Sequence, residues 1–333
     1  MIQSKEKDQF FAQPREDVVG SPADKNTYIY RLCDDDLMIR EAEFTSKKGG
    51  EPVQIAVLTD THLNRLNEKD WAERNPVVMS TRQFRMAFRN ESTLSNMQNA
   101  LKVAPFVDQL VWTGDNIDYL TWGSLDMMDE YVWEPYPDAM VVVGGHDTTR
   151  RMQGKVDDPT SFASRMEILQ SRWKHDINYE KRILGDKVML LGIYNNGEYT
   201  KETVAKLTED IKYARENDLI ILVFQHEPIC SKNPEEVDLE PMRMNDPPNM
   251  KNFCDHFVGN DESNAETKAA YELLVTNADV VKGVICGHWH NDFYSEILAT
   301  YTENGKEVKT VIPQYVQTGT MYDEGHVMIL TVN

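Results

Sequence analysis

Five short apolar runs in this chain end on an aspartate or a histidine, and that pattern limits the fold more than any other feature. Val53–Leu58 is followed by Asp60-Thr61-His62, and Leu110–Thr113 by Gly114-Asp115. Met140–Val143 leads into Gly144-Gly145-His146-Asp147, Leu219–Phe224 into Gln225-His226-Glu227-Pro228, and Val280–Cys286 into Gly287-His288-Trp289-His290. Short apolar runs without polar alternation read as strands covered on both faces, as in α/β proteins. Open α/β sheets place their ligands at the carboxyl ends of such strands. The spacing therefore predicts that residues far apart in the chain meet at one sheet edge, around Asp115.

The segments between these runs predict helices over Ser92–Ala104, Ser124–Trp133, Thr160–Trp173, Thr200–Asn217 and Glu266–Thr276. The fourth is the clearest: Thr200 can cap it, and Val204, Leu207, Ile211 and Ala214 recur on one face. Further strands are expected at Val188–Tyr194, at Phe293–Tyr301 and Glu307–Ile312 around the turn pair Asn304-Gly305, and at Val327–Val332. Tyr28–Phe44 suits one or two short strands, and residues 1–25 read as an extended arm. The expected organisation is an arm with leading strands over residues 1–50 and one α/β domain over 51–333, with a mixed sheet or two stacked sheets.

Charge narrows the function. The 333 residues carry a formal net charge of −20. That argues against an extended nucleic-acid surface, which needs lysine and arginine to neutralise phosphates. It leaves open a small anionic substrate held by bound cations, which reverse the local field. No apolar run approaches the ~20 residues of a membrane span, and the first residues lack the apolar core of a leader. Cys33, Cys230, Cys254 and Cys286 show no Cys-x-x-Cys spacing and read as reduced thiols. A cytoplasmic protein with no membrane partner is the expectation.

Five of the eight histidines, His62, His146, His226, His288 and His290, directly follow apolar strands. His175, His256 and His326 lack that context and read as structural. Mixed Asp and His donors suit manganese, iron, zinc, cobalt or nickel. A carboxylate shared by two such ions lets them sit ~3.5–4 Å apart, turn a bridging water into hydroxide and clamp a phosphoryl group for in-line attack.

Asp60-x-His62, Gly114-Asp115-x-x-Asp118, Gly144-Gly145-His146-Asp147, His226-x-Pro228 and Gly287-His288-x-His290 resemble, in order and spacing, the five blocks of the calcineurin-like metallophosphoesterases. The resemblance spans roughly residues 53–292. It implies a four-layer α/β/β/α sandwich with the site at the strand ends. It also implies two divalent transition-metal ions: Asp60, His62 and His290 at the first, His226 and His288 at the second, and Asp115 between them. His146 would serve the leaving-group oxygen as general acid, Asp147 would orient its ring, and Asp118 would fix loop geometry without binding metal. The purple acid subclass has a tyrosine three residues after the bridging aspartate. Here that residue is Asp118, and Tyr119 comes one later, so that subclass is not implied.

One position departs from the family. Its third block carries an asparagine whose amide oxygen binds the second metal, and this chain has Gly145 there. A weaker or differently occupied second position is expected, with a backbone carbonyl, a water or Asn116 to fill it. The implied activity is hydrolysis of a small or medium phosphate ester, including a phosphopeptide, with a cyclic-nucleotide or other phosphodiesterase as the alternative. A reading of another class is a scaffold that has lost catalysis, with Gly145 as the first step. Arg82, Arg85 and Arg89 form a cationic helix face that solvation alone would explain. With Trp289 and the 231–264 loop, they are the candidates for contacting an anionic substrate.

Overall fold

The structure, a computed structural model, describes residues 15–19, 28–34, 37–73, 93–149, 162–195, 198–230, 237–238, 264–290, 292–317, 319–320 and 325–333. In chain order its strands are β1 (Arg15–Val19), β2 (Tyr28–Asp34), β3 (Leu37–Phe44), β4 (Val53–Leu58), β5 (Gln109–Thr113), β6 (Met140–Val142), β7 (Tyr179–Leu184), β8 (Val188–Ile193), β9 (Ile220–Gln225), β10 (Val237–Asp238), β11 (Val281–Cys286), β12 (Phe293–Glu303), β13 (Lys306–Val316) and β14 (Gly325–Val332). The α-helices are α1 (Glu68–Glu73), α2 (93–100), α3 (Trp122–Met128), α4 (Phe162–Arg172), α5 (Lys201–Glu216) and α6 (Ala265–Thr276).

The strands form two sheets, ordered β1-β2-β3-β14-β4-β5-β6 and β10-β12-β13-β11-β9-β8-β7. Both are mixed. β4, β5 and β6 run parallel in the first, and β8, β9, β11 and β13 in the second. Alternation along each strand then builds three apolar layers. Ile55, Val57, Val111 and Val142 meet Ile220, Leu222, Phe224 and Ile285 between the sheets. Ala56, Leu58 and Trp112 point outward onto Met97, Leu125, Met128 and Leu169 from the helices that cover the first sheet. Ile221 and Val223 point outward onto Leu207, Ile211, Ala270 and Leu274 of α5 and α6. The result is the α/β/β/α sandwich the resemblance implied. Because these strands are buried on both faces, only their ends and loops remain for chemistry.

Thr200 caps α5 as expected, accepting from the Thr203 backbone N–H at 3.1 Å. The β12–β13 hairpin closes on Asn304 and Gly305, both at positive φ, as a two-residue turn with the strands' own twist requires. Four local expectations are corrected. The helix expected to run to Ala104 becomes 3-10 over Leu101–Phe106, where Pro105 cannot donate to an α-helical ladder. The helix expected from Ser124 starts at Trp122, because Thr121 caps it, and its last turn widens to a π turn over Asp129–Trp133. Strand β1 lies inside the stretch read as an arm and pairs antiparallel with β2. Strand β7 was not anticipated: Tyr-Glu-Lys-Arg-Ile-Leu is too charged to read as a core strand, and it occupies a sheet edge where charge is tolerated.

Candidate metal centre

The carboxyl ends of β4, β5, β9 and β11 converge. Asp60, His62, Asp115 and His290 each offer a donor atom within 4.8 Å of the others, and so do Asp115, His226 and His288. The chain turns sharply at these residues. Asp60, His62, Asp115, His288 and His290 all adopt positive φ, between 44° and 75°. For residues with a side chain, that region costs about 1–3 kcal/mol each, and such strain persists where the surroundings over-determine the backbone. The surroundings here are backbone ladders continued past the strand ends. Asp60, His62 and Leu63 donate N–H to the carbonyls of Gly114, Asp115 and Asn116 at 3.0, 2.9 and 2.9 Å. Gly114 must be glycine on two counts: its φ is 98°, and a Cβ there would lie 2.6 Å from the His226 ring.

Each carboxylate has one oxygen tied to the protein and one facing the imidazoles. Asp60 Oδ2 accepts from Thr59 Oγ1 at 2.7 Å and from the His288 backbone N–H at 2.9 Å. Its Oδ1 lies 3.0 Å from His290 Nε2 and 3.7 Å from His62 Nε2. Asp115 Oδ1 accepts from the His146 backbone N–H at 2.8 Å. Its Oδ2 faces His226 Nε2 at 3.2 Å and His62 Nε2 at 3.7 Å, so one oxygen serves both donor sets.

The rings are held from behind. His226 Nδ1 donates to the Thr113 carbonyl at 2.9 Å, across the gap between the sheets. His62 Nδ1 lies 3.3 Å from Asp118 Oδ1. The bond behind His226 fixes its tautomer and leaves its Nε2 as a lone pair for a metal. His62 Nε2 and His290 Nε2 are 3.3 Å apart, as are His226 Nε2 and His288 Nδ1. Ring nitrogens directed at one another, with a buried Asp60 Oδ1 that makes no well-aligned hydrogen bond, are what donors around a common cation look like. The residues fit divalent metals.

The charges point the same way. Burial would push the His226 imidazole down, but the Asp115 carboxylate outweighs it and lifts it to about 10. Against the same burial, Asp118 and Asp60 lift His62 to about 9. Burial opposes ionisation of Asp115, yet His226, His146 and His62 hold it far below the usual carboxylate range. Burial and the neighbouring His226 charge push His288 down to about 4. In the metal-free chain, protons on His62 and His226 thus supply the positive charge that the buried carboxylates demand.

His146 lies beside this centre with its side chain 34% exposed. Its Nδ1 faces the Asp118 carbonyl at 2.8 Å and Asp118 Oδ1 at 3.3 Å. Asp147 was expected to orient this ring and does something else. Its Oδ2 accepts from Gly144 N–H at 2.7 Å and Asn116 Nδ2 at 2.8 Å, and its Oδ1 from Ile117 N–H at 2.9 Å. Asp147 therefore braces the loops after β5 and β6, and Asp118 holds the ring. Burial and the Asp115 charge raise the Asp147 carboxyl to about 7. His62, Asp118 and His146 also form a tight set of possible donors. Asp118 Oδ1 lies 3.3 Å from both Nδ1 atoms in that set.

Trp289 packs partly buried against the apolar layer beneath α5 and α6. Arg82, Arg85 and Arg89 lie outside the described residues, as do 231–236 and 239–263 of the proposed collar. Sequence reasoning missed Thr59 and Thr113, which hold Asp60 and His226. A small polar residue just before each ligand turn was the available signal.

A family model described as calcineurin-like phosphoesterase matches residues 53–292. No curated protein matches the chain in sequence. Among solved structures, a purple acid phosphatase from yellow lupin (Lupinus luteus) seeds is similar, with 11% identity and a TM-score of 0.43 over 92% of this chain and 46% of that one. A dimetal phosphatase from Danio rerio gives 11% identity and a TM-score of 0.41 over 81% of this chain and 88% of that one. For the NAD nucleotidase of Haemophilus influenzae the values are 10% and 0.33, over 82% and 46%. This chain thus spans less than half the length of the lupin and Haemophilus proteins. Among the described residues, no helix is long and apolar enough to cross a membrane. The family match runs from the first residue of β4 to the second residue past His290, taking in every strand end that carries a candidate ligand; the chain belongs to the calcineurin-like phosphoesterase family.

Proposed function

We propose that this metal-dependent phosphoesterase works with two divalent cations on a small or medium phosphate ester. The observation that carries the reading is Asp115 Oδ2, buried between His226 Nε2 at 3.2 Å and His62 Nε2 at 3.7 Å. One carboxylate oxygen shared by two donor sets suits a paired centre better than a single ion. Asp60, His62, Asp115 and His290 would hold one cation, and Asp115, His226 and His288 the other. Bound there, the pair supplies Lewis acidity, acidifying a water and offsetting the charge of a phosphoryl group.

The protein's own part is orientation and proton transfer. Asp118 engages His146 at Nδ1, which leaves Nε2 of this part-exposed ring to give a proton to the leaving-group oxygen. Asp147 holds the turn that carries His146. The backbone N–H of His146 fixes Asp115 Oδ1, so the acid and the shared carboxylate keep a set relation.

The test is metal content together with hydrolysis of p-nitrophenyl phosphate and bis-p-nitrophenyl phosphate after loading with manganese. Two ions per chain and cleavage of either ester support the reading, and the ratio of the two rates separates monoesterase from diesterase. A chain that binds no transition metal and cleaves neither ester is a scaffold.

A further inference from the structure

We infer that the end of β13 and the chain just after it, residues 314–317 and 319–320, position the metal centre from behind; this rests on the metal centre proposed above. These residues lie wholly past the family-matched part of the chain and include no histidine, cysteine or carboxylate. They space the turns that carry Asp60, His226 and His288.

The reason lies in where the strand ladders stop. β11 and β13 pair in parallel as far as Cys286 and Val316. The Gln317 N–H extends that ladder by one bond, to the Cys286 carbonyl at 2.9 Å. The pairing of β4 with β14 stops at Val57 and Met328, yet the chain runs on through Thr59 to Asp60. Thr320 takes the missing strand's place: its backbone N–H and its hydroxyl both donate to the Thr59 carbonyl, at 3.2 and 3.3 Å. The Gln317 side chain crosses from the second sheet to the first and donates from Nε2 to the Val57 carbonyl at 3.0 Å. Gln314 clamps the chain after β9 at both ends of one residue. Its Oε1 accepts from the Ile229 N–H at 2.7 Å, and its Nε2 donates to the Ile229 carbonyl at 2.9 Å. Gly319 lies directly on Asp60, where a Cβ would come within 2.8 Å of the Asp60 Cβ.

Every attachment point is Asp60 itself or lies within three residues of Asp60, His226 or His288. Gln314, Gln317 and Thr320 are buried, so water does not replace a bond that is lost there. Arg40 of β3 secures the same segment from the first sheet through the Val316 carbonyl at 2.6 Å. A donor set drawn from two sheets works only if the sheets keep one separation, and this segment ties them at the level of the ligands. Its members are positioning residues. Loss of such support around a metal costs about 10- to 100-fold in affinity.

Gly319→Ala is the sharpest test, because Gly319 has no left-handed backbone and an added methyl acts by pressing on Asp60. In calorimetric titration of the metal-free, full-length chain, this variant should bind manganese about 10- to 100-fold more weakly than wild type. Thr320→Val should weaken binding in the same direction, and Thr320→Ser, which keeps the hydroxyl, should restore it. Thr200→Ala, which removes the α5 cap, should lower Tm without moving the manganese isotherm, as a purely structural lesion does. Gly319→Ala and Thr320→Val chains with the wild-type isotherm, whatever their Tm, would overturn the inference and leave the metal centre standing. Should Gly319→Ala not fold, the Thr320 pair decides, and equal isotherms for Thr320→Val and Thr320→Ser overturn the inference. A wild-type chain that takes up no manganese would overturn the metal centre itself, and the inference with it.

Discussion

The two sheets contribute to the centre in different ways. Among the described residues, the first supplies the two carboxylates, Asp60 and Asp115, with His62 and His146; the second supplies imidazoles, His226, His288 and His290. The carboxylates sit where backbone N–H groups can fix them. His288 N–H holds Asp60 and His146 N–H holds Asp115, so each negative charge is aimed before a cation arrives. The imidazoles of the second sheet are neutral donors once deprotonated, and His226 is pinned across the gap by the Thr113 carbonyl. Charge thus resides on one sheet and much of the coordination on the other. A bound cation ties the two together, and its removal should be felt as a loss of cohesion between sheets as well as a loss of chemistry.

The sharpest way to break this comparison is at the residue both donor sets share. Asp115→Asn should bring turnover below detection and weaken both ions, whereas His288→Ala on the second sheet should cost one ion. Metal stoichiometry separates the two, and loss of a single ion in Asp115→Asn would mean that the carboxylate is not shared. Next in size, His146→Ala should lower kcat by ~10²–10⁴ with metal content unchanged. Asp118→Asn should fall short of that and shift the alkaline limb of the pH–rate profile, where a general acid loses its proton, because it alters the group behind the ring. Asp147→Asn should instead act on stability, as its oxygens serve the loops.

Chelation of metal is the third measure. Ions at 100- to 1,000-fold above Kd stabilise a folded chain by about 3–4 kcal/mol. Removing them should lower Tm by several degrees if they bridge the sheets, and an unchanged Tm would count against that role. Arg40 offers a smaller probe of the same bridge. It is buried on β3 of the first sheet and donates to the Val316 carbonyl at 2.6 Å and to Asp292 at 3.2 Å, two residues past His290. Arg40→Met should cost about 1–3 kcal/mol by leaving buried acceptors without their donor. It should also weaken the first ion more than the second.

The pH response of the metal-free chain is the gentlest test. His62 and His226 are raised to about 9 and about 10. Unfolded, an imidazole titrates near about 6.5. The stability these two contribute is fully present below that value and is lost as pH rises through about 9–10. The metal-free Tm should therefore fall between pH 7 and 10 and the loaded one should not. At pH 7, metal uptake should release protons, readable as a dependence of the calorimetric heat on buffer ionisation.

Much of this was legible in the linear chain, for a specific reason. Parallel strands such as β4, β5, β9 and β11 are buried on both faces, so their apolar runs stop abruptly, and the first polar residues after each stop lie at the sheet edge. Asp60, His62, Asp115, His226, His288 and His290 could be picked out on that ground. Strand β7 could not, because an edge strand tolerates the charges that disguise it. Nor could the place of β14 between β3 and β4, which depends on a pairing across nearly the whole chain. Sequence alone thus determined which residues are the candidates for the chemistry and which elements hold them, since both follow from local hydrophobic pattern and side-chain type. Only the tertiary structure decided that Asp118 holds His146, that Thr113 holds His226, that Asp147 braces a loop, and that five of the six candidate ligands, all but His226, sit at positive φ. These depend on which backbone groups of neighbouring loops come within about 3 Å, and hydrogen bonds that short are set by packing and not by order along the chain.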